Sequence, residues 1–124
     1  MGNSEAKLSD YDAIAGAVQH YIDGARSGKG DVMKLAFHED ATIFGHYRGD
    51  LMAGPIKVLF DHVDEGPPVP ELQAKIASIE VVDTVATVRL ELDNWAGDRF
   101  TDFFTVLKTD GEWKITNKVF HTHP

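Results

Sequence analysis

An Asp-Gly hairpin near the C-terminal end of the chain is the feature that most constrains its fold. Residues 100–108 and 112–122 alternate between apolar and polar side chains, and Asp110-Gly111 joins the two segments. Such a two-residue connection is a strong hairpin signal, because a type I′ turn needs positive φ at both central positions. A pair between Thr109 and Glu112 would fix the register, since directly opposed residues share one face of a sheet.

In this register, one face of the hairpin is apolar apart from three polar residues. Asp102, Asn117 and His121 lie at the end of the hairpin that is far from the turn. The other positions of the face are apolar, and they are Phe100, Phe104, Val106, Trp113, Ile115 and Val119. An apolar surface with a few polar groups at one end is typical of a ligand pocket.

The composition limits the partners that the protein can have. The chain has 124 residues, enough for one domain with a core, and its formal net charge is −8. Nucleic acids and anionic membranes need a basic surface, so we expect neither as a partner. The absence of cysteine excludes disulfides and thiolate metal sites. No apolar run approaches the ~20 residues that span a bilayer, and residues 1–7 lack a signal-peptide core, so we expect a cytoplasmic protein.

The remaining patterns predict helices first and strands afterwards. Apolar residues at helical spacing predict an amphipathic helix over 9–27, with Ser9 as its N-cap and Gly28 as its C-cap. Two shorter helices are predicted over 32–37, after Asp31, and over 56–64, after Gly54-Pro55. Strands are predicted over 41–46 and 48–52 and throughout the region that follows Leu72, with a bulge near 77–78 and a wide connection over 94–98. This order predicts an α+β domain in which three helices pack on a strongly curved, mixed or antiparallel sheet.

Four short motifs carry a resemblance to a known family. They are Tyr21-Ile22-Asp23-Gly24, Gly30-Asp31, Phe37-His38-Glu39-Asp40-Ala41, and the segment 107–115 with Lys118 after it. In their order and spacing the chain resembles the NTF2-like (SnoaL-like) superfamily and, within it, the putative lumazine-binding family. The resemblance implies a cone-shaped fold, with one domain over residues 1–124 and a flexible segment over 1–8. It implies no particular activity, because this fold carries unrelated functions.

The resemblance also implies a set of candidate catalytic residues. In steroid-isomerase-like members of the superfamily, a tyrosine at the place of Tyr21 and an acid at the place of Asp102 donate hydrogen bonds to a developing oxyanion. An aspartic acid in an apolar wall can stay protonated and so donate. The base of those relatives corresponds to a position near Gly45-His46, where His46 is the nearest titratable group. The alternative is that Tyr21 belongs to the core, Asp102 pairs with a polar neighbour and His46 is exposed.

Further residues are predicted to line the same pocket. The candidates for ligand contact are Phe44, Trp95, Phe104, Asn117 and His121. Trp95 lies at the expected open end, where it either covers the pocket or is buried between strands. His121 and His123 have a spacing that can chelate a metal, but the sequence identifies no third ligand. We therefore predict no metal site and no cofactor, and we interpret this histidine pair as structural or pocket-lining.

The opposite face of the hairpin is predicted to be an interface between two copies of the chain. It carries threonines and large apolar residues together with one lysine, namely Thr101, Phe103, Thr105, Leu107, Thr116, Lys118 and Phe120. A face this apolar is expected to be covered, and a symmetric pair of sheets would cover it. The alternative is an exposed sheet with scattered hydrophobic residues.

Three functional hypotheses follow from these observations. The first is that the chain binds a small, largely apolar organic molecule in the pocket. The second is an acid–base enzyme of the isomerase or dehydratase type that uses Tyr21, His46 and Asp102. The third is a dimeric interaction module whose pocket is vestigial.

Overall fold

Three helices and one 3₁₀ turn pack on a six-stranded mixed sheet in the computed structural model, which describes residues 7–124. The helices are α1 (Leu8–Ser27), α2 (Gly30–Met33) and α3 (Lys57–Glu65), and the 3₁₀ turn is Lys34–Ala36. The strands are β1 (Phe37–Tyr47), β2 (Asp50–Pro55), β3 (Gln73–Val82), β4 (Val85–Trp95), β5 (Asp98–Thr109) and β6 (Glu112–His123). Their order in the sheet is β2-β1-β6-β5-β4-β3, with β1 parallel to β6 and every other pair antiparallel. The predicted α+β fold class is confirmed.

Helix α1 begins at Leu8, one residue before the predicted start. Its N-cap is Lys7, so the prediction that Ser9 caps the helix was wrong. The carboxylate of Asp10 accepts a hydrogen bond from the Lys7 backbone at 3.4 Å and another from Trp113 Nε1 at 3.1 Å. The second bond joins the first turn of the helix to the C-terminal hairpin. Flexibility was expected for residues 1–8; Leu8 instead belongs to α1, and residues 1–6 lie outside the described residues.

The two shorter helices and the first two strands differ from their predicted bounds. The second helix starts at Gly30 rather than after Asp31, because the Gly30 backbone N–H donates to Asp64 Oδ1 at 2.7 Å. The predicted helical residue Phe37 instead begins β1, where it pairs with Ile115 of β6. Pro55 ends β2 and does not open α3. None of the helices within residues 7–124 is long and apolar enough to cross a membrane.

Helix α1 lies unusually close to α2, and this contact depends on a glycine of the first motif. A Cβ atom at Gly24 would lie only 2.4 Å from Met33 Cβ and 2.5 Å from the Met33 backbone nitrogen. Real Cβ atoms do not approach that closely, so only glycine fits at this position. The close approach leaves Met33 fully buried against the first helix.

The predicted Asp-Gly hairpin is present. Asp110 and Gly111 have φ values of 51° and 78°, and Thr109 pairs with Glu112 as the turn chemistry requires. The bulge predicted near residues 77–78 is also present, since the pairing of β3 with β4 slips between Ile76 and Ser78. The connection over 94–98 is tighter than predicted, because Trp95 and Asp98 already pair across it.

A second bulge, which the sequence analysis did not predict, lies in the middle of β6. Val106 pairs with Ile115, but the next residue of β5, Thr105, pairs with Asn117, so Thr116 is the extra residue. Its hydroxyl lies 2.7 Å from the Thr105 hydroxyl and donates to the Thr105 carbonyl at 3.2 Å. Side chains of a strand alternate between faces, so one extra residue exchanges the faces of everything beyond it.

The bulge corrects the predicted faces of the second half of β6. Lys118 and Phe120, predicted on the outer face, are 4% and 9% exposed and lie on the inner face with the helices. Asn117 and His121 lie on the outer face, opposite in direction to Asp102. The hairpin register is therefore confirmed from the turn as far as Ile115 and is wrong by one residue beyond it.

The outer face still carries exposed large side chains. Phe103, Phe44 and Val119 are 52%, 47% and 43% exposed, and they lie on the neighbouring strands β5, β1 and β6. Phe120 is not among them, so a charge at Phe120 would disturb the core rather than an interface. Pairing of two copies through the outer face stays a prediction, now centred on Phe44, Phe103 and Val119.

We predict that Phe103→Asp dissociates a homodimer, because an unpaired carboxylate would lose its water in the interface. Light scattering of the unmodified protein at micromolar concentration should give twice the mass of one chain, and the variant should give the mass of one chain. Leu35→Asp is the matched control, since Leu35 is 53% exposed but belongs to the 3₁₀ turn. A monomeric unmodified protein would contradict the prediction.

Candidate functional site

A cavity of about 110 Å³ lies between α3, the 66–69 connector and the turn that joins β4 to β5. Most of its wall is apolar and includes Ala25, Ile43, Met52, Leu59, Phe100 and Phe120. Lining residues that are exposed to solvent, namely His62, Gly66, Pro67 and Ala96, form its mouth. The cavity is thus an apolar space that opens to solvent at one end.

Trp95 lines this cavity, as expected for a residue at the open end of the fold. The strand that carries it ends in a tight turn at Ala96-Gly97, where φ is 52° and 91°. The indole ring packs edge-to-face on Phe100 at a centroid distance of 5.7 Å and on Tyr21 at 6.0 Å. Trp95 therefore belongs to the aromatic wall and remains partly exposed at its edge.

Lys118 is the basic side chain in the cavity wall. Its ammonium nitrogen lies 5.0 Å from the ring centroids of Tyr21 and Phe120 and 5.5 Å from that of Trp95. A cation at these distances is attracted by the negative faces of the rings. The amine is thus held by an aromatic cage at the inner end of an apolar cavity, with 4% of the residue exposed.

Behind Lys118, a hydrogen-bonded chain of three polar groups crosses from the sheet to helix α1. Lys118 Nζ donates to Tyr21 Oη at 2.8 Å, and Tyr21 Oη donates to Asp102 Oδ2 at 2.7 Å. Lys118 Nζ and Asp102 Oδ1 are 3.9 Å apart, and Oδ1 has no hydrogen-bond partner. One carboxylate oxygen is therefore buried with only the nearby amine to compensate it.

Burial shifts the pKa of all three groups away from their usual ranges. Loss of water raises the pKa of Asp102, with the nearby Lys118 and the Tyr21 hydrogen bond acting in the opposite direction. Loss of water lowers the pKa of Lys118, and Asp102 opposes this shift. The pKa of Tyr21 is raised well above its usual value by burial and by the charge of Asp102. Each shift favours the neutral form of its group.

A close contact between strands β1 and β6 shapes the wall beside Lys118. Gly45 pairs with Phe120, and a Cβ at Gly45 would lie 2.4 Å from the Phe120 ring. The absence of a side chain lets the Phe120 ring lie over the backbone of β1. In that position the ring forms one side of the cage around Lys118.

The structure brings together only part of the predicted site. Tyr21 belongs to the core and Asp102 pairs with it, as in the alternative interpretation, and both lie behind Lys118 without lining the cavity. Phe104 is 1% exposed and packs in the core against Tyr21 at 5.2 Å between ring centroids. The Tyr21 hydroxyl hydrogen is already donated to Asp102. The two groups are thus arranged to support the lysine rather than to bind a substrate oxygen themselves.

Four of the predicted site residues lie on the other face of the sheet. Phe44 and His46 alternate with the buried Ile43 and Gly45 on β1, so their side chains point away from the helices. Asn117 is turned outward by the bulge and donates to Thr42 Oγ1 at 2.9 Å. The outward-facing positions in this part of the sheet are Phe44, His46, Asn117, Val119 and His121. The prediction that Phe44, His46, Asn117 and His121 line the cavity was therefore wrong.

The histidine pair at the end of β6 does not extend into a larger ligand set. The rings of His121 and His123 are 4.7 Å apart between centroids. Thr101 Oγ1 lies 2.9 Å from His123 Nε2 and also donates to Glu91. Within residues 7–124, no three His, Cys, Asp or Glu side chains are placed to hold a metal ion together.

Comparison with known proteins gives close relatives over almost the whole chain. Aldolase FrzH from Cladobotryum sp is 33% identical over 117 residues, which is 94% of each chain. A NTF2-like protein of unknown function from Methylobacillus flagellatus KT is 41% identical, covers 98% of each chain and superposes with a TM-score of 0.94. A NTF2-like protein of unknown function from Shewanella baltica OS155 is 40% identical, with 97% of this chain and 98% of that chain covered and a TM-score of 0.91.

The family match agrees with these relatives. Residues 9–121 match the family described as putative lumazine-binding, a span that covers all of α1 but its first residue and all six strands but the last two residues of β6. The two NTF2-like structures share the three-helix, six-strand architecture of this chain, as their TM-scores of 0.94 and 0.91 indicate. The chain therefore belongs to the putative lumazine-binding family of NTF2-like proteins.

Proposed function

We propose that the chain binds a small, largely apolar organic molecule that carries a carbonyl group, with the carbonyl oxygen directed at Lys118. The observation that carries the proposal is a buried amine at the wall of a mostly apolar cavity. A few convergent polar groups in an apolar space are typical of small-molecule sites. The amine can donate a hydrogen bond to the carbonyl oxygen while the rings of Trp95, Phe100 and Phe120 contact the apolar part.

The size of the cavity limits the part of the ligand that it can enclose. An apolar protein cavity of ~150 Å³ holds benzene, so the ~110 Å³ found here suits about four or five non-hydrogen atoms. A larger ligand would extend through the mouth past His62 and Pro67. This space supports binding over the alternative of an interaction module with a vestigial pocket.

Acid–base catalysis on a carbonyl compound is the second candidate function. It is favoured by the chain of Lys118, Tyr21 and Asp102, which can move a proton over three adjacent groups. The relative named Aldolase FrzH favours it as well. The base differs from the one predicted, because His46 is exposed on the far face and Lys118 is the buried titratable group that lines the cavity. An aldol-type reaction, in which a proton next to a carbonyl is removed, matches these groups better than an isomerisation that needs His46.

The energetic cost of this chain of polar groups also points to function. Two ionisable groups that lose their water cost free energy of folding, and a pair with one unsatisfied oxygen recovers only part of it. A well-packed apolar pair of similar size would be at least as stable. Groups with strongly perturbed pKa values in a cavity are candidates for a functional site.

The cavity is predicted to lose its ligand when it is filled from helix α1. Ala25→Leu adds three carbon atoms to a lining residue that is 2% exposed, and we expect affinity for butanone to fall at least about tenfold because the enclosed space is lost. Binding is measured by NMR from the Trp95 indole signal. Ala13→Leu, on the exposed side of the same helix, is the control and should bind like the unmodified protein. Equal affinity in both variants would contradict binding in this cavity.

The buried pair is predicted to lower the stability of the protein. Asp102→Asn with Lys118→Met should raise the free energy of unfolding by about 1–4 kcal/mol at neutral pH, because two buried ionisable groups are removed together. Asp102→Asn alone should lower it by about 3–5 kcal/mol, because Lys118 then lacks its carboxylate. Urea denaturation measures both, and a double variant less stable than the single one would contradict the account.

The stability gain of the double variant should also depend on pH. The pKa of Lys118 in the folded protein lies below the usual 10.5. The free-energy cost of burying its ammonium is therefore present at neutral pH and disappears as pH rises toward 10.5. The pKa of Asp102 in the folded protein lies above the usual 3.8, so the free-energy cost of burying its carboxylate disappears as pH falls toward 3.8. The gain should therefore be largest near neutral pH and decrease in both directions. A gain that is constant with pH would contradict the pKa shifts.

A further inference from the structure

We propose that Lys118 is a nucleophile that forms a covalent imine with an aldehyde or ketone bound in the cavity. The inference rests on the proposed binding of a carbonyl compound and assigns the chemistry that follows it. Lysine amines act on carbonyl compounds in this way when their surroundings favour the uncharged form.

The placement of the amine meets the geometric requirement for this reaction. Lys118 lines the cavity, and its Nζ lies 5.0 Å and 5.5 Å from the ring centroids of Phe120 and Trp95, which line the cavity as well. The amine is therefore placed at the wall against which a bound carbonyl group would lie. The apolar rings of Tyr21, Trp95 and Phe120 surround the amine and exclude most water from it. Exclusion of water favours the imine over its hydrolysis, because water is the other product of imine formation.

The groups around Lys118 can take the proton that the amine must lose. Tyr21 on α1 accepts a hydrogen bond from Nζ at 2.8 Å and passes its own proton toward Asp102 on β5 at 2.7 Å. A proton can thus move from the ammonium to Tyr21 while the Tyr21 proton moves to the Asp102 carboxylate. The result is an uncharged amine beside a neutral carboxylic acid, which also agrees with the directions in which burial shifts both pKa values.

The covalent step balances without any additional reagent. The nitrogen lone pair attacks the carbonyl carbon, and the electron pair of the C=O π bond moves to oxygen, which takes up a proton. The nitrogen loses a proton, which gives a neutral carbinolamine. Its C–O bond then breaks, the nitrogen lone pair forms the C=N bond, and the oxygen leaves as water with the two protons that began on the amine. A proton returned to the imine nitrogen from the Asp102 carboxylic acid by way of Tyr21 gives an iminium. The positive nitrogen of the iminium makes the neighbouring C–H more acidic, as an aldol reaction requires.

The experiment uses butanal, a four-carbon aldehyde that fits the enclosed volume, with cyanoborohydride to reduce an imine to a stable amine. We expect a mass increase of one butyl group per chain, and peptide mass spectrometry should locate it at Lys118. Lys57 is the internal comparison, because its side chain is 76% exposed and forms only a surface ion pair with Asp61. Lys118 should react at least about tenfold faster than Lys57, although it is far less exposed.

Two variants test whether the reaction depends on the site. Lys118→Met should abolish the fast butylation and leave the slow reaction at Lys57. Tyr21→Phe keeps the packing of the ring but removes the hydroxyl, so the rate at Lys118 should fall about a hundredfold, which is in the range for a lost proton-transfer group. Unchanged circular dichroism spectra would show that both variants keep the fold.

The binding measurement separates failure of this inference from failure of the proposed function. Butan-1-ol matches butanal in size but cannot form an imine, so its effect on the Trp95 NMR signal reports occupation of the cavity alone. Butanal that shifts this signal without butylating Lys118 would overturn the imine and leave the binding proposal intact. Both proposals are overturned if neither compound shifts the signal and Lys57, the more exposed lysine, is butylated faster than Lys118.

Discussion

The extra residue in β6 is the constraint on which the site depends. If β6 paired regularly through Thr116, with no bulge, its alternation would place Lys118 and Phe120 on the outer face and Asn117 on the inner one. The bulge leaves the apolar pair of Trp113 and Ile115 facing the helices and turns a lysine inward behind them. Hydrogen bonds between Thr116 and Thr105 hold the irregularity in place. The bulge thus converts an ordinary core strand into one that carries an amine to the cavity.

The inward lysine in turn explains the position of Tyr21 and Asp102. A buried ammonium needs a compensating group, and Asp102 lies diagonally across from it on the neighbouring strand. Tyr21 fills the gap between them and donates to one carboxylate oxygen, while the other oxygen remains without a hydrogen bond. The arrangement is less favourable for folding than an apolar core of the same volume. Its features are those of a site that keeps its groups uncharged and close to a ligand.

The sequence predicts the scaffold better than the site, for reasons visible in particular residues. The Asp110-Gly111 turn has strict backbone requirements, and the apolar periodicity of α1 reflects burial directly, so both were predicted correctly. The bulge at 77–78 was recognised because the apolar alternation changes phase there. The bulge at Thr116 lies in a run of polar residues, Thr116-Asn117-Lys118. Their polarity therefore does not show where the alternation between the two faces shifts by one residue. The residues that follow give no signal either, because Val119 and Phe120 place one apolar residue on each face in either register.

Two errors separate the predicted site from the observed one, and the first follows from the missed bulge. Asn117 and His121 were assigned to the pocket but lie on the outer face, and Lys118 was assigned to the outer face but lines the cavity. The base position taken from steroid-isomerase-like relatives led to His46, which alternation on β1 places outside. Tyr21 and Asp102 were correctly predicted to face the interior, because the faces of α1 and of β5 were correctly assigned.

The most direct test of the account is the pKa of Lys118 itself, measured in the folded protein by NMR from the chemical shifts of its ¹³Cε and ¹⁵Nζ atoms. The structure predicts a value clearly below the usual 10.5, since the amine is buried among aromatic rings and only partly compensated by Asp102. Asp102→Asn should lower it further, because the carboxylate opposes the effect of burial. A value at or above 10.5 in the unmodified protein would contradict the account, because it would mean that Lys118 is a permanently charged partner of Asp102.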